Sequence, residues 1–313
     1  MAQPSDTFSS YDAIGNREDL SDVIYNISPT ETPFMSSIAR GTADATLHEW
    51  QTDALAAAAQ NAVIEGDDAT TDASTATTRL GNYTQISDKV PRVTGTQNAV
   101  RKAGRKDELA YQIAKKSKEL KRDMETDLCS NTARVAGNDT TARVSAGLTS
   151  WIATNQSVGS GGSAPTGDGT DTRTNGTQRT FNEAQLKTVL QACWDQGGDP
   201  DTIMVGSFNK QKMSTFTGNA TRYKDADDQR LVAAIDVYVS DFGTLTVVPN
   251  RFQPARSAFV LQTDMWAVAY LRPFFMQQLA KTGDTERRQL LVEYCLESRQ
   301  EAASGIVADL TTA

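Results

Sequence analysis

The sequence holds a single histidine, His48, and three cysteines, Cys129, Cys193 and Cys295, in 313 residues. One imidazole excludes most histidine-based acid–base catalysis and histidine-rich metal sites. Three thiols without C-x-x-C spacing exclude a disulfide framework and a thiolate metal centre. No apolar run approaches the ~18–20 residues of a membrane helix. The opening MAQPSDTFSS has no basic n-region and no apolar h-region, so no secretory signal is expected. The glycines of 159–169 lack a following Gly-Lys-Ser/Thr, which removes a phosphate loop. The acidic residues Glu65, Asp67, Asp68 and Asp72 do not follow the calcium-loop template, and read as a solvated loop. His48 lies near Trp50 in an alternating run and reads as a cross-strand partner rather than a catalytic base. The composition describes a soluble, acidic, intracellular protein with little catalytic equipment.

Lysine is also missing from the first quarter of the chain: the first is Lys89. The formal net charge of −8 therefore hides a partition. Residues 1–88 carry a balance of −11, residues 89–134 one of +6, and residues 135–313 one of −3. Opposed patches on one chain point to docking, within the chain or onto a copy of itself.

In REDLSDVIYNI, Leu20, Val23, Ile24 and Ile27 form one apolar helical stripe, stopped at Ser28-Pro29. Phe34, Met35 and Ile38 form a second apolar turn. Such an arm suits either a neighbouring surface or its own core. TLHEWQT (46–52) and YTQISDKVPRV (83–93) read as strands around a long insertion poor in large apolar residues. Two strands with a long tip read as an extended hairpin that needs a supporting surface, because an isolated hairpin is marginal in water. Over 105–136, Leu109, Ile113, Ser117, Leu120, Met124, Leu128 and Val135 repeat at helical spacing. A helix of that extent would span ~45 Å. Its lysines and arginines are half compensated, so phosphate contact is conceivable but not sequence reading. Residues 157–180 are nearly free of large apolar side chains and read as a mobile surface loop. Thr180-Phe181-Asn182-Glu183 has the pattern of a capping box and opens a helix with Leu186, Val189, Leu190 and Cys193 inward. TIMVG (202–206) reads as a buried strand, and from Val232 onward the chain is strand-rich. The order of elements is α+β, not the alternation of a nucleotide-binding fold.

Residues 17–38, REDLSDVIYNISPTETPFMSSI, resemble the N-terminal arm of tailed-bacteriophage major capsid proteins. The likeness continues through NAVIEGDDA (61–69), NYTQISDKVPRVTGTQNAV (82–100) and the helix at 105–136. It implies the Hong Kong 97-type capsid fold. By that resemblance 1–44 is an N-terminal arm, 45–95 an extended loop, and 96–139 a peripheral domain with a spine helix. An axial domain would occupy 140–255, and 256–313 would return to the peripheral domain. The implied function is a non-enzymatic subunit, without cofactor or metal. It would assemble with its own copies as hexamers and pentamers of an icosahedral shell. The shell would enclose double-stranded DNA without sequence-specific binding and without a membrane. Scaffolding, portal and decoration proteins would be separate chains, since the arm pattern starts too early for a long scaffolding segment. The resemblance places the chain in the virion, assembled in the host cytoplasm. A nanocompartment shell on the same fold is the alternative, and an enzyme with a site in the axial half a third. Candidate intersubunit contacts are Phe34 and Met35 in the arm, Trp50 and Tyr83 in the hairpin, and Lys115, Lys116 and Lys121 on the helix. Local packing is the competing role for each aromatic. Some shells of this fold are cross-linked through a loop lysine. Residues 45–88 contain none, so no such link from the tip is expected.

Overall fold

A computed structural model describes residues 28–68, 71–102, 104, 106–216 and 236–313. The predicted helix over 17–27 lies outside the described residues. In chain order, the first elements are α1 (Pro33–Ser37), β1 (Ala39–Thr42), β2 (Leu47–Thr52), β3 (Thr78–Tyr83), β4 (Gln85–Lys89), β5 (Arg92–Thr94) and α2 (Gly95–Ala99). Then come α3 (Glu108–Cys129), α4 (Leu148–Trp151), β6 (Asn155–Ser157), α5 (Glu183–Asp195), β7 (Thr202–Val205) and α6 (Ser207–Met213). The last are β8 (Val237–Ser240), β9 (Gly243–Pro249), β10 (Ala258–Leu261), β11 (Trp266–Gln278), β12 (Thr285–Ser298) and β13 (Gly305–Val307).

The strands form three sheets. One runs β1-β11-β12-β4, with β5 also on β12; a six-stranded sheet runs β6-β13-β10-β7-β9-β8; β2 and β3 pair alone. The six-stranded sheet is covered on both faces, which is why TIMV and AFVL read as unbroken apolar runs. Side chains alternate between two cores along each strand. Ile203, Val205, Ala258 and Val260 join Leu186, Val189, Leu190 and Cys193 of α5. Met204, Phe259 and Leu261 join Phe34, Leu120, Met124, Leu128, Trp151, Trp266 and Tyr294.

The α3 helix is shorter than the periodicity predicts: 22 residues, Glu108–Cys129, in place of 105–136. Asp107 caps it, accepting from the amides of Leu109 and Ala110. Its end is set by Ser130, whose hydroxyl donates to the Asp127 carbonyl while its own backbone is extended. Val135 therefore leaves the stripe and bridges Val144 instead. The capping box of α5 is formed by Asn182 and Gln185, two residues later than the expected Thr180 and Glu183, because the Asn182 carboxamide accepts from the Gln185 amide and the Gln185 side chain accepts from the Asn182 amide.

The stretch 157–180, expected as a mobile surface loop, is fastened down. The buried Asp309 carboxylate accepts from the amides of Gly159 and Gly176 and from Arg256. Asn131 and Arg173 exchange side-chain–backbone bonds, and the Arg173 guanidinium reaches the Ile152 carbonyl. The anchors are polar groups far away in sequence, so a hydrophobicity reading could not find them. At Gly159 a Cβ would lie 2.1 Å from the Thr177 carbonyl oxygen, which explains the glycine.

Candidate functional site

The hairpin is built from β2 and β3, paired antiparallel from Leu47↔Tyr83 to Thr52↔Thr78. Its descending strand is Thr78–Tyr83, not the 83–93 run expected; residues 85–89 and 92–94 turn away to pair with β12. The root is rigid. Asn82 is fully buried; its amide nitrogen donates to the Leu296 carbonyl at 2.7 Å and its oxygen accepts from the Ala146 amide at 2.9 Å. Beside it the Glu293 carboxylate is buried and receives Thr84, Arg143 and Arg272. His48 lies 3.3 Å from Glu297. That contact, followed by Arg299, holds the Glu297 carboxyl below its ordinary range against the opposing effect of burial. Trp50 packs on the fully buried Trp151, ring centroids 5.4 Å apart. Trp50 and Tyr83 thus sit at the root, half-buried against their own chain, and not at the tip.

The tip is the opposite. Every described residue of 53–77 is exposed. The segment has five carboxylates (Asp53, Glu65, Asp67, Asp68, Asp72) and no basic residue.

The arm is clasped to α3. Phe34 and Met35 are buried in the larger core of their own chain. The short helix α1 gets no side-chain cap from Thr32. Its first amides instead donate to Glu125 of α3, Phe34 at 2.8 Å and Met35 at 2.9 Å. Asn250, just past β9, donates to the same carboxylate at 2.7 Å. Burial raises the Glu125 carboxyl above its ordinary range, against the pull of these three donors. Sequence reasoning missed Glu125, Asn82 and Glu293. The one available signal was a carboxylate at 125 beside the apolar stripe positions Met124 and Leu128.

Lys115, Lys116 and Lys121 stand within two turns of α3. Lys115 and Lys121 are exposed. Lys116 pairs with Glu119 at 2.6 Å and keeps that carboxyl low. Lys89 pairs with Asp123 at 2.5 Å, so the cationic face is partly neutralised within the chain. A groove beside it is lined by Ser28, Thr30, Tyr111, Lys115, Lys118 and Arg122.

The three thiols are free and buried, and burial pushes Cys193 and Cys295 up to about 12. They are therefore poor nucleophiles. Among the described residues no group of three or more His, Cys, Asp or Glu is placed to hold a metal, and no helix is long and apolar enough to cross a membrane.

The model of the SU10 major capsid protein family matches residues 4–311. The chain belongs to that family. It is 27% identical to the major capsid protein of Escherichia phage Phieco32, over 98% of this chain and 97% of that one. In fold it is similar to the cyanophage A-1(L) capsid asymmetric unit, with TM-score 0.68, 15% identity and coverage of 95% and 98% of the two chains. The capsid of a native GTA particle gives TM-score 0.64 at 12% identity, covering 96% and 98%. The mature PhiM1 capsid gives 0.61 at 10% identity, covering 100% and 97%. The resemblance in the arm, loop and helix strings thus holds for the whole chain. This is a phage major capsid protein of the Hong Kong 97-type fold, a structural component of the virion shell and of its oligomeric lattice.

Proposed function

We propose that copies of this chain form hexamers and pentamers of an icosahedral shell around double-stranded DNA, held without sequence-specific contacts. In this reading 1–44 is the arm, 45–95 the extended loop, 96–139 the peripheral domain, 140–255 the axial domain and 256–313 the return. The subunit has no catalytic task. Any scaffolding, portal or decoration protein of the particle is a separate chain, and assembly takes place in the host cytoplasm.

The observation that carries the reading is the hairpin. A root locked by buried polar groups supports a 25-residue tip, 53–77, whose described residues are all exposed and none of which is buried against the body of its own chain. Such a tip gains order only on another surface. Many modest contacts repeated around a closed lattice give a stable shell. An acidic subunit with limited cationic patches also avoids sticking irreversibly to the packaged DNA. Electron microscopy of the purified, overexpressed chain tests it. Closed particles or capsomer rings are expected; a monomer that persists at high concentration refutes it. Particles holding a protein cargo in place of nucleic acid would identify a nanocompartment.

A further inference from the structure

The six-stranded sheet ends in β8, and beyond it no strand pairs among the described residues. β8 runs antiparallel to β9, with Val237 opposite Thr246 and Val239 opposite Thr244. The Val247 amide donates to the Asp236 carbonyl at 2.8 Å, which sets the phase of the ladder. Hydrogen-bonded pairs alternate along an antiparallel ladder, so Tyr238 and Ser240 turn their backbone toward β9. The N–H and C=O groups of Val237 and Val239 point away from the sheet. Apart from its shortness, β8 has none of the devices that guard an edge: no proline, no lysine and no bulge.

The side chains beside this edge are apolar and acidic. Val237 and Val239 are 56% and 61% exposed, on a face shared with exposed Thr244 and Thr246. Past the end of the strand Phe242 stacks on Trp194 of α5, ring centroids 5.4 Å apart, and Trp194 is 57% exposed. Asp236 and Asp241 flank β8, Asp195 follows Trp194, and Asp199 lines the cleft that also holds Phe242; all four are exposed. Lys210 answers Asp236 at 3.2 Å. Among the described residues no cation pairs with Asp195, Asp199 or Asp241.

We infer that β8 accepts an added strand from a different protein, an extended segment that mixes β-branched residues with lysine or arginine. Main-chain bonds to Val237 and Val239 hold such a strand, as in other cases of strand addition. Its apolar side chains cover the two valines. Its cations meet the three unpaired carboxylates and the open indole face. The inference stands apart from the shell reading, since it requires no second copy.

Other occupants fit less well. Phosphates of DNA would be repelled by the four carboxylates. A second copy's β8 brings the same carboxylates. Its β6, at the far edge of the sheet, is engaged by its own Arg173 and Arg179, which bond Gln156 and Ser157. The one cation of β4, Lys89, is paired with Asp123, and the hairpin tip is acidic.

The capped peptides KVTVRVK and EVTVEVE, added to the purified full-length chain, test the edge. The basic peptide should slow amide exchange at Val237 and Val239 about tenfold once nine sites in ten are filled. It should also quench Trp194, the one tryptophan that is exposed. Val239→Pro removes an outward N–H and leaves the bonds to β9 in place, and should weaken binding about tenfold. A basic peptide N-methylated at alternate residues should show the same loss on wild-type protein, which separates the effect from any folding fault of the variant. Asp199→Asn with Asp241→Asn should weaken binding about threefold. Equal binding of both peptides overturns the inference, as does no binding at millimolar peptide, or binding that neither Val239→Pro nor N-methylation weakens. Val237 and Val239 amides protected without any peptide overturn it as well: in favour of a second copy where protection rises with protein concentration, and of the chain's own residues where it does not.

Discussion

Replacing Glu125 by alanine should loosen the arm before it affects anything else. Its carboxylate is the shared acceptor for the Phe34 and Met35 amides and the Asn250 side chain, and it is fully buried. Each donor left without a partner costs about 1–3 kcal/mol. Removing the carboxylate also relieves its own desolvation, so the net loss should be about 2–4 kcal/mol. Denaturant unfolding of the unassembled subunit would report the total, and hydrogen exchange would locate it. The Phe34 and Met35 amides should exchange about 100-fold faster, because every 1.4 kcal/mol is a factor of ten. The conservative Glu125→Gln adds a pH signature. The native carboxyl is raised by burial, so the folded state binds this proton more tightly than the unfolded chain does. Wild type therefore loses stability as pH rises from the ordinary carboxyl range through the raised value, while the glutamine variant does not titrate there. The gap between the two should narrow with rising pH. An alanine variant within about 0.5 kcal/mol of wild type, a change ordinary for plain surface positions, with both amides still protected, would refute the clasp.

Trp151→Ala removes the fully buried ring on which Trp50 rests, and should cost about 3–5 kcal/mol in subunit unfolding. Limited proteolysis should then cut nearer the hairpin root. Glu293→Ala leaves Arg143, Arg272 and Thr84 without their shared acceptor, and should destabilise by about 2–4 kcal/mol. Calorimetry of the unassembled subunit checks it, and an unchanged melting temperature counts against the node. Reversing the charge of Lys115, Lys116 and Lys121 together should reduce particle yield more than it reduces subunit stability; equal particle yield argues against a docking role for α3. Mature particles boiled in detergent should run as a single band, because residues 45–88 have no lysine. A ladder of covalent multimers would contradict this.

Local order was legible wherever one side chain pattern decided it. The stripe of α5 and the buried strands TIMV and AFVL followed from apolar spacing. The fold itself came from specific strings rather than periodicity. What stayed hidden depends on distant polar pairs. Glu125 meets residues 90 and 91 positions away, and Asn82 meets Leu296 across 214. Nothing local marks such partners. The end of α3 was misjudged because Val135 continued the spacing, while Ser130 stopped the helix with a hydroxyl bond that a hydrophobic pattern does not register. The aromatics of arm and hairpin illustrate the same gap. Phe34, Met35 and Trp50 are all pointed at their own subunit's core, which only the tertiary fold decides.

In the proposed shell, these buried polar clasps fix the geometry from which the arm and hairpin would meet neighbouring copies. Association costs translational, rotational and local ordering entropy, and only the surplus becomes affinity. A hairpin free to swing at its root would add the ordering of its whole length to that cost. Here the root is fixed by Asn82, by the Glu293 node and by Trp50 on Trp151, so only the tip remains to be ordered. Buried hydrogen-bonded groups hold one geometry more stringently than apolar contacts, since a slip leaves a donor or acceptor unpaired. The tip itself carries no such groups, and its large exposed apolar side chains are few, Leu55, Val63 and Ile64, so in the proposed shell each contact would be modest. Weak individual contacts on a fixed arm let a misplaced subunit leave, while the number of contacts in a closed lattice makes the finished shell durable.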